Sequence, residues 1–240
     1  MTRRKRWSKM SQVRNLLQNI FKIFSFKREQ SISDDLATSP QDALQLLREG
    51  NKRFISSNFE RPNQNKELIL QLEKEGQHPF AVIVGCSDSR VPLTHIFDRG
   101  FGDLFEIKNA GNVIDDHVIG SVEYALSYLD VKLVVILGHS NCGFIKTALA
   151  HPKGDSRYFN SIVKELQSAI ELSARQDGDI MYNVTKNNAI AYAKTLVKKD
   201  KSIFKQVKRK GVEIIPAYYN GESGKVEFFL DEKVSAENLH

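Results

Sequence analysis

The sequence predicts an α/β fold, with a central mostly parallel β-sheet of four parallel strands plus an antiparallel fifth, flanked by helices. Three observations carry this. The runs 80–85 (FAVIVG) and 131–137 (VKLVVIL) are short, rich in β-branched residues and free of polar alternation, as strands buried on both faces are. Helical patterns precede and follow them along the chain. Asn220-Gly221-Glu222-Ser223-Gly224 reads as a hairpin turn, which makes the strand after it antiparallel to the one before.

Taken in order, Ser39-Pro40 followed by Ala43, Leu44, Leu46, Leu47 and Phe54 is a capped helix start with an apolar stripe. Helical periodicity recurs near 64–75, 117–129, 143–150, 156–175 and 180–209. Strands are expected near 80–86, 104–108, 131–137, 211–219 and 225–230.

Residues 39–240 read as a single domain. A chain of 240 residues with 41% hydrophobic content can bury a full core, and no repeat or low-complexity stretch interrupts it. Residues 1–38 differ in kind. The first 28 hold nine lysines and arginines and no acid, whereas the remaining 212 carry 26 basic against 29 acidic side chains, so the net charge of +6 belongs to the extension. Val13, Leu16, Leu17, Ile20, Phe21 and Phe24 follow helical spacing, which makes residues 12–28 a basic amphipathic segment. It suits docking on a partner subunit, peripheral contact with an anionic membrane, or organelle targeting. It lacks the apolar core of a secretory signal, and nothing is long enough to span a bilayer. Two cysteines with no disulfide framework fit a reducing, cytoplasmic compartment. Arg3-Arg4-Lys5-Arg6 and the basic stretch 205–210 raise nucleic-acid binding, but the body is mildly acidic and lacks aromatic–basic interleaving, so no nucleic-acid partner is expected.

Both cysteines lie just beyond apolar runs, in Cys86-Ser87-Asp88-Ser89-Arg90 and His139-Ser140-Asn141-Cys142. In open α/β sheets, functional groups collect at the carboxyl ends of parallel strands. Were the chain extended through 86–90, Cys86, Asp88 and Arg90 would share one face. The H-x-x-C spacing in a turn lets an imidazole and a thiolate reach one ion. Two sulfurs and one nitrogen form a soft donor set that suits zinc and excludes calcium and magnesium. With no third cysteine and no second histidine at ligand spacing, three protein ligands and an open fourth position remain, the pattern of a catalytic zinc. The structural alternatives are a Cys86–Cys142 disulfide, or cysteines and a histidine that are merely packed.

Five segments, CSDSRVP at 86–92, GDLFEIKNAGN at 102–112, GSVEYAL at 120–126, GHSNCG at 138–143 and AYYNGESGKVEFF at 217–229, together resemble the β-class carbonic anhydrases over about residues 40–230. The resemblance implies one zinc ion per subunit on Cys86, His139 and Cys142, with Asp88 and Arg90 as the catalytic dyad. Asp88 could serve as a fourth ligand in an inactive, lower-pH state. It further implies a substrate pocket with Gln77 as a polar group and Phe105, Ala110 and Tyr124 as apolar wall, some of it across the interface of a homodimer or higher even-numbered homo-oligomer. Lys108 stands where the family usually has arginine, and Asn141 where it often has aspartate. Ile83 replaces the tryptophan of the bicarbonate-inhibited branch, so no such allosteric site is expected.

The function so implied is a zinc lyase that reversibly hydrates carbon dioxide to bicarbonate and a proton, by zinc–hydroxide attack assisted by the Asp88–Arg90 pair. His95 and His117 are candidate proton relays. The alternatives are a hydrolase of carbon disulfide or carbonyl sulfide on the same fold, and a non-catalytic structural zinc protein.

Overall fold

The computed structural model describes residues 37–153 and 156–239. The amphipathic segment expected at 12–28 lies outside the described residues. Among them the chain order is α1 (Pro40–Ile55), α2 (Lys66–Glu75), β1 (Ala81–Cys86), the single turn α3 (Leu93–Ile96), β2 (Leu104–Asn109), a 3₁₀ turn at Ala110–Asn112, α4 (Asp116–Tyr128) and β3 (Leu133–His139). There follow α5 (Gly143–Ala150), α6 (Arg157–Ser173), α7 (Ile180–Lys199), α8 (Lys201–Lys210), β4 (Glu213–Tyr219), β5 (Val226–Phe228) and a 3₁₀ turn at Leu230–Glu232.

The strands form one sheet in the order β2-β1-β3-β4-β5. β1 runs parallel to both β2 and β3, β3 runs parallel to β4, and only β5 is antiparallel, joined to β4 through the turn at 220–224. This is the architecture that the apolar runs and the hairpin turn predict. Every residue of β1 and β3 is buried, so both faces of the sheet are covered.

The two-residue period divides each strand between two cores. Val82, Val84 and Cys86 of β1 and Val134 and Ile136 of β3 face the layer of α4 to α8. Ala81 and Ile83, with Leu133, Val135 and Leu137, face α1, α3 and Phe97. Full burial of each such aliphatic side chain contributes about 1.5–3 kcal/mol. Cys86 thus leaves β1 on the face where α5, which begins at Gly143, also packs.

Side-chain caps start six of the eight described α-helices, α3 and α5 being the exceptions. Ser39 and Asp42 form a reciprocal capping box at α1, with each N–H bound by the other's side chain at 3.1 Å. The continuous helix expected over 180–209 is instead two. Asp200 adopts φ −124° and ψ 121°, closes α7 and uses its carboxylate to accept the Ile203 N–H at 2.7 Å, opening α8. An aspartate satisfies free helical N–H groups better as a cap than it fills an interior position, so the periodicity runs on while the helix breaks.

One buried ion pair ties the segment after α1 to the sheet's flank. Asp98, just after α3, accepts from the Arg53 guanidinium and from the N–H groups of Glu60 and Arg61, both at 3.1 Å. No described helix is long and apolar enough to cross a membrane.

Candidate metal centre

Adjacent parallel strands place the first two donors. β1 and β3 are paired through Gly85 and Leu137, so Cys86 at the end of one and His139 at the end of the other emerge together at the carboxyl edge. Three residues after His139, Cys142 takes the N-cap position of α5. The donor atoms of Cys86, His139 and Cys142 all lie within 4.8 Å of one another, and all three residues are buried.

The Cys86 and Cys142 sulfurs are 4.0 Å apart and both cysteines are free, so the disulfide alternative is not what the structure contains. Two sulfurs on one tetrahedral ion at about 2.3 Å each would sit about 3.8 Å apart. The imidazole is equally prepared. His139 Nδ1 lies 2.9 Å from the Ser140 carbonyl, to which it donates, which leaves Nε2 as a bare lone pair. That Nε2 is buried without a hydrogen-bond partner. A buried nitrogen left this way costs stability unless something electrophilic meets it, and the two sulfurs beside it define where that ion would sit.

One sulfur of the pair is electrostatically biased toward thiolate. Cys86 is drawn down to about 4, first by the hydrogen bond from the Cys142 thiol, against burial, and further by His139 and by the N–H groups of Asp88 and Gly111. Both N–H groups approach Cys86 Sγ at 3.4 Å. Cys142 moves the opposite way, pushed up by Cys86 and by burial. Two thiols in one dry site hold one proton between them, and a divalent cation would displace it.

Asp88 and Arg90 converge, but not by strand alternation. β1 ends at Cys86 and the chain turns at once, with the Val91 N–H returning to the Asp88 carbonyl at 3.0 Å and the Arg90 N–H reaching Asp88 Oδ1 at 3.0 Å. Aspartate side chains stabilise such turns by capping the N–H two residues on. The Arg90 guanidinium then grips the carboxylate twice, Nε to Oδ1 at 3.0 Å and Nη2 to Oδ2 at 2.7 Å. Those hydrogen bonds hold Asp88 well below the usual carboxylate range, while the partnership raises Arg90. Asp88 Oδ2 lies 4.0 Å from His139 Nε2, so the carboxylate borders the space before the imidazole lone pair.

The expected pocket residues fall into two groups. Ala110 opens the 3₁₀ turn whose Gly111 N–H touches Cys86, and Phe105 and Tyr124 pair with ring centroids 6.1 Å apart. Tyr124 stacks in turn on Tyr128 at 5.6 Å, and these tyrosines are 44% and 65% exposed. Gln77 is exposed in the segment between α2 and β1. His95 stacks on Phe59 at 4.9 Å, and His117 is exposed in the first turn of α4. Lys108, in the place of the usual arginine, donates to the Val91 carbonyl at 2.7 Å, one residue beyond Arg90.

Sequence reasoning missed the backbone groups that serve the site. The Ser140 carbonyl takes the imidazole N–H, the Asn141 carbonyl takes Arg90 Nη2 at 2.9 Å, and Gly111 supplies an N–H to Cys86. The available signals were the positive φ of Asn141 (50°) and Gly111 (72°), conformations for which asparagine and glycine are the suited residues.

Comparison with known proteins agrees with this geometry. A family model described as carbonic anhydrase matches residues 81–226. A protein of Mycobacterium tuberculosis named carbonic anhydrase 2 is 42% identical over 147 residues, covering 59% of this chain and 69% of its own. The crystal structure of the β-carbonic anhydrase CafA of Aspergillus fumigatus matches with a TM-score of 0.62 and 30% identity over 69% of this chain and 81% of that one. One of two tetrameric β-carbonic anhydrases from Sordaria macrospora matches with a TM-score of 0.60 and 25% identity, covering 69% and 87% respectively.

Proposed function

Because the chain belongs to the β-carbonic anhydrase family, we propose that it reversibly hydrates carbon dioxide to bicarbonate and a proton at a zinc ion held by Cys86, His139 and Cys142. The observation that carries this reading is the buried, unpartnered His139 Nε2, set between two sulfurs and faced by a carboxylate that arginine holds in place. Zinc is the metal that a set of two sulfurs and one nitrogen suits, since calcium and magnesium require oxygen ligands. When bound it supplies a Lewis acid that acidifies water toward neutral pH.

The chain's own residues do the rest. Asp88 stays ionised because Arg90 donates to both of its oxygens, so its role is to accept a hydrogen bond from the reacting water and aim that oxygen's lone pair. While Arg90 keeps its grip, the carboxylate is turned to the guanidinium and would leave a metal held by Cys86, His139 and Cys142 open to water. Release of Asp88 from Arg90 would let it close that position, which is the inactive state that the resemblance implies. Carbon dioxide carries no charge to grip, so a small apolar wall serves it, and Ala110 with Phe105 and Tyr124 is that wall, with Gln77 orienting an oxygen.

The exposed Tyr124–Tyr128 stack and the edge strand β2 favour a homo-oligomer of even number, in which a second copy covers these aromatic rings. The test of the function is stopped-flow carbon dioxide hydration against pH, on protein of measured zinc content, beside Asp88→Ala. Hydration that requires zinc, rises with pH and drops in the variant is expected. Zinc-loaded protein inert at every pH overturns the reading.

A further inference from the structure

We infer that Ser140 is a positioning residue for His139, and that it works by pinning the β4–β5 turn to the ligand loop. This rests on the reading of Cys86, His139 and Cys142 as a metal centre. Ser140 is anchored on every polar group it has. Its N–H donates to the Tyr219 carbonyl at 2.9 Å, which extends the β3–β4 ladder one step past His139. Its hydroxyl oxygen accepts the Gly221 N–H at 2.8 Å. Its carbonyl receives His139 Nδ1 at 2.9 Å.

The last of these bonds selects the tautomer with a lone pair at Nε2, and the other two fix the carbonyl that makes it. The turn that supplies the Gly221 N–H is itself rigid. The Asn220 side chain accepts the N–H groups of Glu222 and Ser223 at 3.0 and 2.9 Å, and the Gly224 N–H returns to the Asn220 carbonyl at 2.8 Å. Asn51 of α1, buried, donates to the Gly224 carbonyl and accepts the Val226 N–H, both at 2.9 Å. On the other side the Tyr218 ring packs edge-on against Tyr182 with centroids 4.9 Å apart. A continuous chain of contacts therefore runs from α1 through the turn and the Ser140 hydroxyl to the imidazole. Gly221 sits close, since a Cβ there would stand 3.3 Å from Ser140 Oγ, a contact tight enough that the hydroxyl would have to give by a few tenths of an ångström.

Groups that orient a ligating histidine typically hold tenfold to hundredfold of metal affinity. The experiment is Zn²⁺ affinity by competition with a chromogenic chelator, on wild type, Ser140→Ala, Ser140→Thr and Asn220→Ala, which loosens the turn that supplies the Gly221 N–H, with thermal unfolding of each metal-free form. Expected are a roughly tenfold or greater loss of Zn²⁺ affinity in Ser140→Ala at little cost to the metal-free fold, recovery in Ser140→Thr, and a smaller loss in Asn220→Ala. Should Ser140→Ala fold poorly, Asn220→Ala alone must still show lowered affinity. Unchanged affinity in both variants, or loss that Ser140→Thr does not restore, overturns the proposal while leaving the metal centre standing. Wild-type protein that does not bind Zn²⁺ removes the centre itself, and the positioning role with it.

Discussion

Arg90 Nη2 donates to the Asn141 carbonyl at 2.9 Å while also holding Asp88 Oδ2 at 2.7 Å. One guanidinium edge thus joins the loop after β1 to the loop after β3, and the dyad is a three-way junction. The Asn141 carbonyl reaches Arg90 because the residue is left-handed at φ 50°, a conformation that asparagine tolerates and β-branched residues resist by about 1–3 kcal/mol. Asn141→Val should therefore loosen Arg90 and lower kcat/KM for hydration about tenfold or more, whereas Asn141→Gly should stay near wild type. Steady-state kinetics on zinc-loaded protein decides it; equal losses in the two variants would mean that the side chain, not the backbone, matters.

Asp88→Asn keeps the shape of the turn but removes the charge that accepts the water's hydrogen bond. Loss of a positioned acid–base group costs about 10²–10⁴-fold, and that is the expected fall in kcat with zinc content unchanged. A variant with normal kcat would show that the carboxylate only braces Arg90.

Acid stability should trace to Asp98. Burial pushes its carboxyl up, and the hydrogen bonds from Arg53 and from the N–H groups of Glu60 and Arg61 more than reverse that, leaving it below the ordinary value. A group lowered on folding contributes stability above its unfolded value, about 3.9, and loses it as pH falls through the folded one. Asp98→Asn should cost about 2 kcal/mol at pH 7, below the range for a fully buried pair because Arg53 is partly exposed. The gap from wild type should narrow by pH 3. Urea unfolding at the two pH values measures this, and a gap that widens in acid would contradict it.

Stripping the metal should lower the thermal midpoint, because two thiols and a bare imidazole nitrogen remain buried together. Restoring zinc to 100 times its dissociation constant should return about 2.7 kcal/mol. Cys86→Ser should show little of this increment, as read by calorimetry with and without added zinc.

Gly111→Ala should harm both fold and centre. The residue has φ 72°, and an added Cβ would fall 2.4 Å from the Phe144 ring, so the backbone must shift and carry the N–H away from Cys86. A stability loss of about 1–3 kcal/mol is expected, together with weaker zinc binding in chelator competition.

The cluster of Cys86, His139 and Cys142 was legible in the sequence because its two segments each follow a run that only a buried strand explains, and because H-x-x-C is a local spacing. Sheet order and the antiparallel fifth strand followed from the same runs and the turn at 220–224. The pairing of Asp88 with Arg90 was legible as an outcome but not by its cause, since strand alternation and an aspartate-capped turn both bring residues two apart together. The break at Asp200 escaped because apolar periodicity is blind to one capping residue. Ser140 and Asn141 act through their carbonyls, and a carbonyl is common to every residue type. Only the fold shows which of them meets a functional group.

Cys86 and His139 terminate the two strands that lie side by side within the sheet and have every residue buried. Amides in such strands open to solvent only in the largest cooperative unfolding events, whereas loops and helix ends open far more often. Two of the three donors are thereby rooted in the part of the molecule slowest to exchange hydrogen with water. Escape of a bound ion by local fraying is left to the Cys142 side alone, so the lifetime of the loaded centre should follow the opening of the N-terminus of α5 and not the breathing of the sheet.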